Sequence, residues 1–110
     1  MRQVRDVIMD AIVLTASANS AAIDTSNLLM VSIQAVVAGT AAGTLKIVAS
    51  NDASPTNWSD ISGATVAIAD TGVYFIPKTE LSYRWIRLVY TRTSHTGSPT
   101  MSVNFNGIGF

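Results

Sequence analysis

The stretch TMSVNFN (residues 100–106) sets the reading of the whole chain. Met101, Val103 and Phe105 alternate with Ser102, Asn104 and Asn106, a period of two that belongs to a strand with one face in a core and one toward solvent. The same rhythm runs upstream in YRWIRLVYTRT (residues 83–93), where Ile86, Leu88 and Tyr90 alternate with Arg87, Val89 and Thr91. Further back, LLMVSIQAVVA (residues 28–38) places Leu29, Val31, Ile33, Ala35 and Val37 on one face and Met30, Ser32 and Gln34 on the other. In TLKIVAS (residues 44–50), Leu45, Ile47 and Ala49 point inward, opposite Lys46 and Ser50. The glycines of the linker GTAAG (residues 39–43) accept the positive φ of tight loops, so the last two strands are expected as a hairpin. Residues 64–69 and 73–76 form a second expected pair around Asp70-Thr71-Gly72.

The N-terminal segment fits two patterns. Val4, Val7, Ile8, Ala11 and Ile12 share a helical face, whereas Ile8, Ile12 and Leu14 fit a strand interrupted by Asp10. The company of so many strands favours a strand over about residues 7–16. Composition agrees, because 11 Val, 10 Ile and 12 Thr outweigh one Glu and two Lys, and β-branched side chains suit a pleated surface better than a helix. Turn signals recur at 8–12-residue intervals in several places, as in sandwiches and barrels. The expected architecture is all-β, an antiparallel β-sandwich of seven to nine strands in a single domain over residues 1–110.

Size permits one core. Scaling gives an unfolded surface of roughly 17,000 Å² and a folded one of roughly 6,000 Å². With 48% hydrophobic residues the chain is not disordered, and only 13% of it is charged. Seven basic and seven acidic residues give zero net charge, which leaves no basic surplus to displace phosphate counterions, so nucleic acid is not an expected partner. No apolar run approaches the roughly 18–20 residues of a spanning helix, and Asp6 and Asp10 interrupt any resemblance to a leader peptide, so no membrane association is expected. The absence of cysteine removes disulfides, thiolate chemistry and cysteine-ligated zinc.

Reactive groups are sparse. The one histidine, His95, lies among turn residues with no carboxylate placed to orient it, and a nucleophile needs such a base. Asp24, Asp52, Asp60 and Asp70 fall where turns are expected, and Asp in turns accepts hydrogen bonds from its own backbone. Asn51, Asp52 and Asp60 are candidates for oxygen ligation of calcium, but their spacing matches no EF-hand or repeat motif. Trp58 and Trp85 are candidate sugar-stacking platforms, although aromatics in small sandwiches more often serve packing. The chain is therefore expected not to be an enzyme, with no catalytic residues, no cofactor and no resident metal.

A resemblance supplies what these residues do not. The order "ASND", "NWSDI", "GATVAIADTGVYF" and "LSYRWIRLVYT" within residues 44–92 is similar to jelly-roll domains of the galactose-binding and discoidin type. More closely, "SIQAVVAGTAAGTLKIVASND" followed by "YRWIRLVYTRTSHTGSPTMSVNFNGIG" resembles small jelly-roll proteins of phage virions, in particular the decoration or staple proteins of short-tailed, epsilon15-type phage capsids. That resemblance implies a structural protein, made in the host cytoplasm and placed on the outer capsid surface of the virion. There it would bind the major capsid protein as a homodimer or other homo-oligomer, joining adjacent subunits and stabilising the shell. The alternative is a carbohydrate-binding module for host-surface glycans on a fibre or tail. No contact motif transfers, so the candidate partner contacts are the flanking residues Met1, Arg2, Val4, Arg5, Ile108 and Phe110, with residues 1–7 and 108–110 expected as arms.

Overall fold

In a computed structural model of the chain, two long strands run side by side for nearly their whole length and organise everything else. The structure describes residues 2–80 and 82–109, and their side chains apart from those of residues 2–4, 77, 78 and 80. Its strands are β1 (Arg2–Val13), β2 (Ala18–Asn19), β3 (Ile23–Asp24), β4 (Leu28–Ser50), β5 (Ser59–Ala69), β6 (Gly72–Glu80) and β7 (Trp85–Gly109). β4 and β7 pair antiparallel from Leu28↔Gly109 to Ser50↔Trp85. Around this ribbon, β6 pairs with the first half of β4 and β5 with the second. On the other side, β1 pairs with the last part of β7, and the short β2 and β3 with its first part.

The ribbon is folded across its middle. Gly39 sits at φ +106°, where a side chain is strained, and a Cβ there would lie 2.9 Å from Pro99 Cα. On β7 the partner register slips between Ala38↔Thr100 and Thr40↔Thr96, and again between Ala42↔Ser94 and Gly43↔Arg92. The second slip leaves Thr93 unopposed, and one extra residue turns the following side chains to the other face. Inward residues on β7 therefore change from even numbers (Ile86, Leu88, Tyr90) to odd (Met101, Val103, Phe105), while on β4 they stay odd from Val31 to Ala49. The third strand bends along the same line. Asp70, at φ 61°, and Thr71 separate β5 from β6, the Asp70 N–H donates to Ala41 O at 2.8 Å, and the Gly39 N–H donates to Thr71 Oγ1 at 2.9 Å. The Tyr74 hydroxyl closes the corner by donating to the carbonyls of Ala69 and Asp70.

Folding the sheet in this way produces a two-layered β-sandwich with its core between the layers. The first layer is β6, the first half of β4, the second half of β7, and β1. The second is β5, the second half of β4, the first half of β7, and β2 with β3. Cross-strand pairs Ile33↔Phe105, Ala35↔Val103 and Val37↔Met101 from one layer and Leu45↔Tyr90, Ile47↔Leu88 and Ala49↔Ile86 from the other belong to one buried cluster. Each large side chain buried there contributes about 1.5–3 kcal/mol. The accessible surface, 5862 Å², agrees with the value expected from chain mass.

Several sequence expectations change. Residues 28–38 and 44–50 are not a hairpin but one continuous strand, because Gly39 bends the chain out of one layer into the other without reversing it. The segments flanking Asp70-Thr71-Gly72 do not pair with each other; both pair with β4, on opposite sides of the fold. Leu29 points outward and Leu28 inward, since a register slip between Leu28 and Met30 leaves Leu29 as a bulge. Ser50 is buried rather than exposed. β1 begins at Arg2 and ends at Val13, so residues 2–7 and 108–109, expected as arms, pair with β7 and with β1 and β4 inside the sheet. Their unpaired backbone groups find ladder partners there that an extended arm would leave to water.

Candidate functional site

The outward side chains of the first layer fall into register across all four strands. Phe75 on β6 faces Gln34 on β4, Gln34 faces Asn104 on β7, and Asn104 faces Val7 on β1. At roughly 4.8 Å per strand spacing, this rung spans roughly 14 Å. Beside it runs a second rung, Ser32↔Asn106 and Asn106↔Arg5. Together they line an open groove of about 620 Å³. Its two flanks are apolar, Phe75 and Val7, and its floor carries the amides of Gln34, Asn104 and Asn106 beside Ser32, Ile33 and Phe105.

The floor is only partly satisfied. Asn104 Nδ2 donates to Gln34 Oε1 at 3.5 Å, which leaves donors and acceptors of both amides free for another partner. Asn106 Oδ1 is buried and accepts no hydrogen bond. The wall carries one charge of each sign, Arg5 and Asp6, and Asp6 Oδ1 accepts from the Val7 N–H at 2.8 Å. The groove is thus close to electrically neutral. Chemically it offers an apolar ring, a row of bidentate amides and no strong nucleophile or base.

The sequence candidates are distributed elsewhere. Met1 and Phe110 lie outside the described residues. Arg2 and Val4 pair with Gly109 and Gly107, Arg5 lines the groove, and Ile108 lines a smaller hollow of about 160 Å³ with Met30 and Val31. Trp58 lies under the Arg87 guanidinium, 4.5 Å from Cζ to the ring centroid, and the Trp85 indole N–H donates to Asp52 O at 3.1 Å. Both tryptophans serve the loop over the second layer, so neither presents a free sugar platform.

The calcium candidates do not converge. Asn51 Oδ1 accepts from the Arg84 N–H, and Asp60 pairs with Lys46 at 3.0 Å. Asp52 Oδ2 accepts from Asn57 and Thr56, whose backbone N–H groups, Asn57 first, hold its carboxyl below the ordinary value of 3.8. Asp24 is lowered in the same way by Ser26, whose hydroxyl donates to it at 2.6 Å. Among the described residues, no group of three His, Asp or Glu side chains comes together. His95 Nδ1 lies 3.3 Å from an Arg92 guanidinium nitrogen.

Phe75 and Gln34 were not singled out as site residues from the sequence, and Val7 entered only within the segment 1–7 expected as an arm. The signal was present in the polar half of each alternation, where an Asn or Gln recurs at outward positions that Lys or Glu more often occupies.

No known family matches the chain, and no curated protein matches it in sequence. Solved structures do. The PBSX exported protein XepA superposes with a TM-score of 0.74 at 17% identity, over 97% of this chain and 37% of its own. The SPBc2 prophage-derived protein YomS follows with 0.63 at 8% identity, over 96% of this chain and 92% of its own. The coat protein of Tobacco streak virus gives 0.53 at 11% identity, over 98% and 85%. The likeness is one of fold. This chain spans little more than a third of XepA.

Proposed function

We propose that this chain is a structural protein of a phage virion that sits on the outer capsid surface and staples adjacent major capsid subunits, acting as a homodimer. The observation that carries the reading is the near-complete coverage of this chain by the folds of a prophage-derived protein and a virus coat protein. Its surface chemistry supports the same role. A chain with only 13% charged residues loses less side-chain entropy when it is covered than one rich in Lys and Glu. Copies repeated on a lattice gain avidity without tight single contacts.

The contact surface we assign is the corner where β1 begins and β7 ends. Arg2, Val4 and Ile108 lie there, beside the Leu29 bulge, which is 40% exposed. Met1 and Phe110 adjoin it in sequence. The test is to strip the protein from purified particles, measure their thermal and osmotic rupture, and add it back. Stripped particles should rupture earlier and recover on re-addition, and Leu29→Asp should weaken rebinding at least tenfold while the isolated protein stays folded. Particles that neither rebind the protein nor change in stability overturn the reading.

A further inference from the structure

We propose that the groove on the outer face of the first layer is a binding site for a neutral glycan. A sugar ring has an apolar C–H face and an edge of hydroxyls that both donate and accept. The groove presents the complement of each. Phe75 is 59% exposed and stands at one flank, available for stacking against a C–H face. Gln34 and Asn104, one and two strand spacings further in, carry amides that can each donate and accept toward neighbouring hydroxyls. Val7, at the far flank and 53% exposed, supplies a second apolar contact.

Three further observations select this ligand class. The volume, about 620 Å³, lies within the usual range for small-molecule sites. Arg5 and Asp6 oppose one another in sign, so the groove offers no net field for a phosphate, a sulfate or a uronic acid. The open ends of a groove running across four strands suit a chain more than a compact molecule. The site is distinct from the corner assigned to capsid contact. The two roles are compatible, since a protein held by its terminal corner can keep this face toward solvent.

The experiment displays the isolated protein at high density on beads and probes it with neutral hexose and pentose oligosaccharides, alongside uronic-acid and sulfated counterparts. Neutral oligosaccharides should bind and shift the side-chain amide NMR signals of Gln34 and Asn104. Phe75→Ala and Asn104→Ala should each weaken binding at least tenfold with an unchanged melting temperature, and Trp58→Ala, assayed below its melting point, should retain it. The proposal is overturned if no neutral oligosaccharide binds, if only acidic ones do, or if binding depends on Trp58 and not on Phe75. Capsid rebinding by Phe75→Ala, measured in parallel, should be unimpaired, so that failure of one assignment is separable from failure of the other.

Discussion

On the second layer the outward side chains Val48 and Ser50 are 4% and 5% exposed, whereas on the first layer Val36, Val73 and Phe75 are 42%, 54% and 59% exposed. Both positions belong to halves of the same strand ladder, with the same alternation. The difference lies in one loop. Residues 51–58 fold back over the second layer, where Trp58 receives the Arg87 guanidinium and Asp52 O receives the Trp85 indole N–H. No such cover lies over the first layer among the described residues. A buried core thus tells little about which outer face is finished and which is left available; that depends on the segment joining β4 to β5.

The contrast can be tested by removing one aromatic from each environment. Tyr90→Ala should have the largest effect, about 4 kcal/mol lost in chemical denaturation, because the ring is fully buried between the layers. Trp58→Ala should cost about 2 kcal/mol, less because the ring is only half-buried, and should raise solvent exposure of Val48 in hydrogen exchange and side-chain labelling. Acid should loosen the same roof by a smaller amount. The Asp52 pKa is depressed in the folded state, so its contribution is full above the unfolded value of 3.8 and fades as pH falls through the lower folded value. Carboxyl NMR titration should place it below 3.8, and Asp52→Ala should flatten the acid change in Trp58 fluorescence. Smallest of all, Phe75→Ala should change stability by less than about 0.5 kcal/mol. A loss comparable to that of Tyr90→Ala would mean the first layer is not bare.

Much of the fold was legible in the alternating strands. Val31, Ile33, Ala35 and Val37, Leu45, Ile47 and Ala49, Ile86, Leu88 and Tyr90, and Met101, Val103 and Phe105 are inward as their spacing indicated. Connectivity was not legible, because a glycine with positive φ serves a hairpin and a bend equally well. Gly39 belongs to a bend, and the same ambiguity at Asp70-Thr71-Gly72 disguised a strand crossing between layers. Leu29 was misassigned because one bulge residue inverts every facing that precedes it. The candidate site was hidden for a related reason. Tryptophan attracts attention as a stacking platform by type alone, but whether a ring is covered depends on a loop whose course alternation does not encode.

The fold across the middle of the ribbon also governs the order in which the molecule can assemble. Along β4 and β7, Ser50 and Trp85 are the paired residues nearest in sequence, and Leu28 and Gly109 the most distant. Closing a shorter loop sacrifices less chain entropy, so zippering starts at the roofed layer and runs through the bend toward the termini. The bare layer completes last, and by the same reasoning is the first to open. Along β1 and the far end of β7, the least sheltered face of the protein thus rests on the hydrogen bonds that form latest.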